Sequence, residues 1–339
     1  MNAPMPVPQA LANRYVRYDD LKPCTTAFID TRTPGSAQKE NFTIIGPGVS
    51  ESPDQHVHID IPHGFNLGAA RQPPGCVNSQ HSHETAEVFF VHSGTWAFTL
   101  GEHGDDGRVV LGPGDTISIP VHVFRGFENV GDDTGILYAV LGGDDPGRVL
   151  WAPYVFQQAR EYGLILLEDG SLVDTTRGET IPDGKSAQDP TTPAQVAALR
   201  RMTSDDLGAC VVRGDAMHWQ PAAAGGDGVM ESPVIGNAAE AEGLPAAPLH
   251  WSHGFHLRGL QVAAGAQTPW HQRDEAEVIV VQRGALRVWL PDGALDLRAG
   301  DIVTVPIGAK RRFSGTGDDG ALAMVVRGSD QPSAPVILD

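Results

Sequence analysis

The feature that most constrains this 339-residue sequence is an internal duplication. The tripeptide His63-Gly64-Phe65 recurs 190 residues later as His253-Gly254-Phe255. Further matches follow in the same order, at a spacing of 190 and then of 186 residues: Gly75 with Gly265, His81 with His271, Glu87 with Glu277, Gly94 with Gly284, Gly114 with Gly300, Pro120 with Pro306 and Arg125 with Arg311. The matched residues occur in the same order in both halves, and the spacing changes only once, by four residues. This pattern indicates two copies of one domain.

The residues between the repeated glycines predict β-structure. Glycine and proline number 40 and 26, and this density argues against a helical bundle because both residues interrupt helices. Hydrophobic residues make up 41%, which is enough for a sizeable core. Short apolar runs recur every 8–12 residues, which is typical of an antiparallel sandwich or barrel: 86–91, 95–100, 108–111, 115–120 and 136–141, then 278–281, 286–290, 295–297, 301–306 and 321–326. We therefore expect an all-β fold.

The organisation along the chain follows from these runs. We expect an irregular N-terminal arm over residues 1–55, a first domain over 56–150, a linker over 151–205 and a second domain over 206–339. Residues 152–162 read as a short helix, and Thr192-Pro193 reads as the capped start of another. We read Arg283-Gly284 as a turn between two strands. The arm either pairs across subunits or caps its own barrel.

The charge and the N-terminus limit the partners and the location. The formal net charge is −18, which disfavours nucleic acid and anionic membrane surfaces. Residues 1–17 lack the apolar core of a signal peptide, and no run of about 18 apolar residues is present, so we expect a cytoplasmic protein without a membrane span. The three cysteines, Cys24, Cys76 and Cys210, fit buried thiols in a reducing compartment.

A candidate metal site lies between Gly75 and Gly94. His81, His83 and Glu87 are separated by even numbers of residues, so on a strand their side chains point to one face. If that face lines a barrel, two imidazoles and one carboxylate meet, which is the donor set typical of non-haem Fe(II). A metal held by three protein ligands keeps open positions for a chelating substrate and O₂. The alternative is a polar strand face with ordinary hydrogen bonds.

The stretch from Gly75 to Gly94 resembles the first motif of the cupin superfamily, G-x5-H-x-H-x3-E-x6-G, at every position. With the duplication, the chain resembles a bicupin over residues 62–141 and 252–327. The resemblance implies two small jelly-roll barrels, here joined by a partly helical linker. It also implies that His81, His83 and Glu87 are metal ligands.

The second cupin motif, G-x5-P-x-G-x2-H-x3-N, is altered in the segment 114–129. His122 stands at the motif glycine and Arg125 at the fourth-ligand histidine, although a guanidinium does not bind metal. Four possibilities stay open. Three ligands hold the metal while Arg125 receives an anionic substrate, His122 serves as a fourth ligand, metal binding is weakened or lost, or Arg125 pairs with a buried carboxylate as a structural cation.

The second copy keeps fewer of these residues. His271 and Glu277 match the motif, but Arg273 replaces the second histidine and Arg311 the fourth ligand. Two guanidinium groups repel a divalent cation, so we expect no metal there. This barrel is then a scaffold, a dimerisation unit or an anion pocket, and its charged residues are most simply structural ion pairs.

The resemblance implies function as well as fold. Bicupins of this length include dioxygenases that cleave gentisate, hydroquinone and flavonol rings, so we expect an Fe(II)-dependent dioxygenase acting on a small phenol with O₂. The match is imperfect, because the gentisate type lacks the motif glutamate and the flavonol type keeps the histidine replaced by Arg125. The alternatives are a non-oxidative isomerase, lyase or decarboxylase, and a non-catalytic partner subunit. Mn, Ni and Zn are the alternatives to Fe(II) as the bound metal. Self-association is expected, and a hetero-subunit is possible.

Overall fold

The computed structural model describes residues 5–339, which form two compact units. One unit is Lys22–Gly214. The other combines the described residues up to Leu21 with Asp215–Asp339. Both are built mainly from antiparallel strands, so the expected all-β class is confirmed. No helix in residues 5–339 has the length and apolarity that a membrane crossing requires.

The elements are numbered in chain order. The first strands are β1 (Tyr15–Val16), β2 (Glu40–Ile45), β3 (Val57–Ile59), β4 (Phe65–Gln72), β5 (Val77–Ser82), β6 (Glu87–Ser93), β7 (Trp96–Leu100), β8 (Gly107–Leu111), β9 (Thr116–Ile119), β10 (Arg125–Asn129), β11 (Gly135–Gly142) and β12 (Leu150–Trp151). The next are α1 (Pro153–Glu161), β13 (Leu164–Leu166), β14 (Leu172–Asp174), α2 (Pro193–Ala198), α3 (Ser204–Gly208) and β15 (Val211–Val212). The last are β16 (Gln220–Pro221), β17 (Val229–Ile235), β18 (Phe255–Val262), β19 (His271–Gln272), β20 (Glu277–Leu290), β21 (Gly293–Arg298), β22 (Ile302–Val305), β23 (Arg312–Gly328) and β24 (Val336–Ile337). Short 3-10 helices lie at Gln9–Leu11, Tyr18–Asp20, Thr175–Arg177, Gly214–Ala216 and Glu240–Glu242.

The unit Lys22–Gly214 contains the first barrel, made of two sheets. Their strand orders are β15-β9-β6-β11-β4-β2-β3 and β12-β5-β10-β7-β8. Alternate residues of both sheets share one core, including Phe89 of β6, Phe98 of β7 and Phe127 of β10. The period of two is that of strands with one buried face. The β10 strand lies between β5 and β7, which fixes the position of Arg125 beside β5.

The segment 151–205, predicted as a linker, belongs to this same unit. Helix α1 buries Val155, Phe156 and Ala159 in a cluster that also contains Ile29 and Phe124. Helix α2 begins as expected, with Thr192 accepting from the Gln195 N–H in a capping box. The apolar side of α1 explains why this segment packs on the barrel.

The second barrel has an eight-stranded sheet, in the order β1-β22-β20-β23-β18-β17-β16 with β21 paired to β20. The expected turn at Arg283-Gly284 is wrong, because β20 continues through it. The pairing of β20 with β23 instead shifts register around this point, and Gly284 has φ of 75°. A side chain on Gly284 would also collide with the backbone of Gly320. The glycine therefore marks a bulge in a long bent strand.

Residues 1–55, predicted as one arm, are divided between the two units. In the described part, β1 pairs with β22 of the second barrel through Tyr15 and Val303, and Leu11 is buried in that barrel's core. Strand β2 instead pairs with β4 in the first barrel. Residues 1–4 of the predicted arm lie outside the described residues.

Asp301 fastens the N-terminal segment to the second barrel. Its buried carboxylate accepts hydrogen bonds from Arg17 Nη1 at 2.8 Å, from the Tyr18 N–H at 2.9 Å and from the Arg298 N–H at 3.1 Å. We expect Asp301→Ala to cost about 1–3 kcal/mol by leaving these donors unpaired, and to speed tryptic cleavage at Arg17. Limited proteolysis with mass spectrometry measures this. Asp19→Ala is the control, because its ion pair with Arg298 is exposed. Equal cleavage of both variants would refute the assignment.

Candidate metal site

The first barrel brings four polar side chains of the motif region together. His81 lies in β5, His83 follows it, Glu87 begins β6 and Arg125 begins β10, directly opposite His81. All four are almost completely buried, with exposed fractions of 1–5%. One potential ligand atom from each of His81, His83 and Glu87 lies within 4.8 Å of the other two. The sequence-predicted donors therefore meet at one point.

Both histidines are held in the neutral form that binds metal. Burial lowers the pKa of His81 and of His83 well below the usual range, and Arg125 lowers both further. His81 Nδ1 lies 2.7 Å from the Ser79 carbonyl oxygen and donates to it, which leaves the lone pair on Nε2. His83 Nδ1 is buried and has no hydrogen-bond partner among the described residues. Two imidazole nitrogens are thus available to a metal ion.

Arg125 contacts Glu87. Its Nη2 and Nε lie 2.7 and 3.2 Å from Glu87 Oε2, and Nη1 lies 3.4 Å from the Val123 carbonyl. Burial raises the pKa of the Glu87 carboxyl, while Arg125 opposes that rise. Of the possibilities that the sequence left open, this contact is the pairing of Arg125 with a buried carboxylate. A carboxylate offers about four lone-pair directions, so Arg125 leaves Glu87 able to bind a metal.

His122, the tentative fourth ligand, is not part of the group. Its side chain is exposed, and its backbone is left-handed with φ of 58°. It stands where the cupin motif has glycine, the residue that adopts this conformation most readily. The His122 N–H donates to the His83 carbonyl at 3.2 Å, so its backbone, not its ring, is tied to the site.

A cavity opens from these side chains into the barrel. It encloses about 80 Å³ and is bounded by His81, His83 and Glu87 together with mostly apolar residues. The apolar walls include Phe28, Phe42, Phe89, Phe127, Leu137, Leu141 and Trp151. A metal ion at the three donors would therefore face a small, largely water-excluding space.

The donor set fits a divalent metal with a small adjustment. Two donors on one metal lie at most about 4.2 Å apart, twice a metal–ligand bond of about 2.1 Å. The candidate ligand atoms of His81, His83 and Glu87 lie up to 4.8 Å apart, so the side chains must move slightly toward one another to bind one metal ion. In residues 5–339 this is the one group of three or more His, Cys, Asp or Glu side chains that meets in this way. Two nitrogens and one carboxylate oxygen suit Fe(II) and similar ions.

Sequence reasoning missed two residues that hold His81 in place, Trp151 and Glu51. The rings of His81 and Trp151 lie 5.3 Å apart, and Trp151 Nε1 donates to Glu51 Oε1 at 2.6 Å. Glu51 Oε2 also accepts from the Ile29 N–H at 2.7 Å. Nothing in the local sequence around Glu51 marks it, because the contact spans 100 residues.

Glu51 predicts a pH dependence of stability. Burial raises its pKa to about 8, although its two hydrogen bonds oppose the rise. Between its ordinary pKa near 4.5 and about 8, the folded state binds a proton that the unfolded state lacks, so stability falls as pH rises. Glu51→Gln should remove about 3 kcal/mol of this loss between about pH 5.5 and about pH 8.5, which urea unfolding at these two pH values measures. Glu40→Gln, which changes a partly exposed ion pair, should leave this loss of stability with rising pH unchanged. An unchanged slope in Glu51→Gln would contradict this.

The equivalent place in the second barrel is an ion-pair network. Glu277 Oε2 lies 2.7 Å from Arg327 Nε and 3.6 Å from Arg273 Nε, and Glu277 Oε1 lies 3.2 Å from Arg311 Nε. Burial alone would raise the pKa of Glu277, but these three arginines hold it well below its usual range. Burial lowers the pKa of His271 to about 4.

Three members of this network escaped the sequence reasoning: Arg327, Glu231 and Glu242. Arg327 Nη2 lies 3.1 Å from Glu231 Oε1, and Arg273 Nη1 lies 2.7 Å from Glu242 Oε1. A usable signal was present, since Arg327 is a charge at the end of an otherwise apolar run.

Comparisons with known proteins agree with this architecture. The model of the cupin domain matches residues 69–141 and 260–327. Germin-like protein 5-1 from Oryza sativa subsp. japonica is 32% identical over 134 residues, and the match covers 36% of this chain and 58% of that protein. The chain thus spans less than two thirds of this relative.

Solved structures are similar over nearly the whole chain. The oxalate decarboxylase of Lactobacillus farciminis in complex with formate superimposes with a TM-score of 0.60 at 12% identity, covering 97% of this chain and 89% of that one. A deletion mutant of the Bacillus subtilis oxalate decarboxylase gives 0.58 at 13% identity, with 98% and 82% covered. At this identity the likeness concerns the fold. The cupin domain matches once in each of the two barrels, and the first-motif residues assemble in the first of them, so the chain carries two cupin domains.

Proposed function

We propose that the first barrel is the active site of a metal-dependent dioxygenase that acts on a small aromatic or phenolic substrate with O₂. The observation that carries this proposal is the placement of His81, His83 and Glu87 at the wall of an apolar cavity. Three protein ligands leave room for substrate and O₂, and an apolar wall suits a hydrocarbon ring better than a highly charged substrate.

Each group in the site has a part in this proposal. Bound Fe(II) would supply the redox chemistry with O₂, and Mn, Ni or Zn are the other metals to test. His81 and His83 hold neutral nitrogens toward the metal position. Arg125 orients the Glu87 carboxylate and favours its ionised form. The aromatic walls exclude water from the substrate.

The cavity limits the size of the substrate. A cavity that holds benzene measures about 150 Å³, while this one encloses about 80 Å³. A single ring therefore already requires the walls to move, and a flavonol would have to extend well beyond the cavity. This supports a one-ring phenol as the upper limit.

A non-oxidative reaction is the second candidate, because the structurally similar proteins named above are decarboxylases. In that case a metal would act as a Lewis acid on a small carboxylate, and Arg125 would turn from Glu87 to the substrate anion. The apolar walls of the cavity favour the first candidate over this one.

The test is anaerobic reconstitution with Fe(II), followed by O₂ uptake with catechol, hydroquinone, gentisate and salicylate, and with quercetin as the oversized control. We expect stoichiometric O₂ uptake with a one-ring substrate and none with quercetin. Release of CO₂ from a small carboxylate without O₂ uptake would establish the second candidate instead. Failure to retain any metal would overturn both candidate activities. The remaining hypothesis would then be a non-catalytic partner subunit.

Arg125 provides a further prediction. Arg125→His restores the histidine of the second cupin motif directly opposite His81, and we expect it to tighten Fe(II) binding at least about tenfold. Competition with a metal-binding dye measures this. Arg125→Lys is the control, because an ammonium is charged and adds no ligand. Equal affinity in the two variants would mean that residue 125 does not face the metal.

A further inference from the structure

The second barrel contains more buried positive charge than its carboxylates neutralise. Four arginines of this barrel are at most 2% exposed: Arg273, Arg311 and Arg327 of the ion-pair network, and Arg258. The carboxylates in contact with this group are Glu231, Glu242 and Glu277. One guanidinium charge therefore lacks a counter-charge in the network, and burying an unpaired charge is costly.

Many of the guanidinium N–H groups also lack acceptors. Arg258 donates from Nη1 to the Ile235 carbonyl at 3.2 Å, while its Nε and Nη2 have no hydrogen-bond partner in residues 5–339. The same holds for four other buried nitrogens: Arg273 Nε and Nη2, Arg311 Nη2 and Arg327 Nη1. Burial and the neighbouring Arg327 lower the pKa of Arg258 to about 10, as expected for a cation without a sufficient counter-charge. Buried donors of this kind normally have a partner.

The unpaired donors lie where the first barrel has its cavity. In the duplication Arg258 corresponds to Gly68 and Arg327 to Leu141, and both of those residues line the first cavity. The strand pairings agree, since Glu277 lies opposite Arg327 just as Glu87 lies opposite Leu141. Arg258 lies opposite Val325, a core residue of the second barrel, so its side chain shares the inward face. The second copy has thus placed guanidinium groups in the interior.

We propose that the second barrel binds one small oxyanion between Arg258, Arg273 and Arg327. Guanidinium groups pair with carboxylates, phosphates and sulfates through parallel N–H···O bonds, which would satisfy the unpaired donors and the excess charge together. Arginine side chains occupy much of the interior, so the ligand is compact, of the size of acetate, oxalate or inorganic phosphate. The site is separate from the metal site of the first barrel and does not depend on the function proposed there.

The test measures anion binding in the full-length His81→Ala variant, which removes metal-bound anions from the readout. Isothermal titration and thermal unfolding are followed with acetate, oxalate and inorganic phosphate, and with chloride as the ionic-strength control. We expect one saturable site per chain for at least one oxyanion, and a melting temperature that rises with its concentration. Arg258→Met should weaken the affinity at least tenfold. Arg287→Met, which removes a partly exposed arginine of the same barrel, should leave it unchanged.

Two outcomes would overturn the proposal. One is the absence of saturable binding of all three oxyanions at millimolar concentration, and the other is equal affinity in Arg258→Met and the parent protein. If Arg258→Met does not fold, crystals soaked in selenate decide, because selenium is located by its anomalous signal. A peak within hydrogen-bond distance of Arg258 and Arg327 supports the site, and none at saturating selenate refutes it.

Discussion

Replacement of His81 by alanine is expected to lower the affinity for Fe(II) by at least about 100-fold. The group contains three candidate ligands, and changes to residues that merely support a ligand already cost 10- to 100-fold in metal proteins. The variant should remain folded, because His81 carries no ion pair and its loss leaves a small cavity beside Trp151. Metal analysis after reconstitution and dialysis should fall from about one ion per chain to nearly none.

His271→Ala is the matched control for this experiment. It alters the duplicate position in the second barrel, where Arg273 and Arg311 lie near the imidazole. It should leave metal content unchanged. If His271→Ala, and not His81→Ala, reduced the metal content, the metal site would lie in the second barrel and the assignment would be reversed.

Glu277→Gln is expected to produce the largest loss of stability. The side chain is fully buried and is within 3.6 Å of three arginines, so its neutralisation leaves their charges opposed only by Glu231 and Glu242. Loss of one partner of a buried pair costs about 3–5 kcal/mol. In a domain of this size that corresponds to a melting temperature lower by on the order of 10 °C. Differential scanning calorimetry measures the shift.

Glu87→Gln tests the same change in the first barrel. Glu87 faces one arginine, so its neutralisation should cost less stability than the change at Glu277, while it should lower metal affinity. The two variants therefore separate the roles of the two copies. A loss of stability as large in Glu87→Gln as in Glu277→Gln would contradict the different roles assigned to them.

The turns explain why so much of the fold was predictable. Gly75, Gly94 and Gly114 all have φ between 73° and 89°, and their duplicates Gly265, Gly284 and Gly300 fall in nearly the same range. These conformations favour glycine, so the positions at which the chain turns or bulges are visible in the sequence. In the first barrel the apolar runs between them became strands with bounds within two residues of those expected. In the second barrel the runs 278–281 and 286–290 form one strand, β20, and the run 321–326 is the end of the longer strand β23.

The features that escaped prediction depend on which distant residues meet. The spacing of His81, His83 and Glu87 fixes their common face, because a strand alternates its side chains. No comparable local rule connects Arg125 to Glu87, or Glu51 to Trp151. The sequence therefore predicted that His81, His83 and Glu87 lie together, and it left the partner of Arg125 among several alternatives.

The pairing of β1 with β22 has a consequence for synthesis on the ribosome. Tyr15 emerges nearly 290 residues before its partner Val303, which at 5–20 residues per second is a delay of about 15–60 s. Lys22–Gly214 is complete before that partner exists, so the nascent chain must carry a strand whose N–H and C=O groups have no sheet to join. Expression of Asp215–Asp339 alone would omit that strand. To express the two units separately, the segment that contains β1 would have to be joined to Asp215–Asp339.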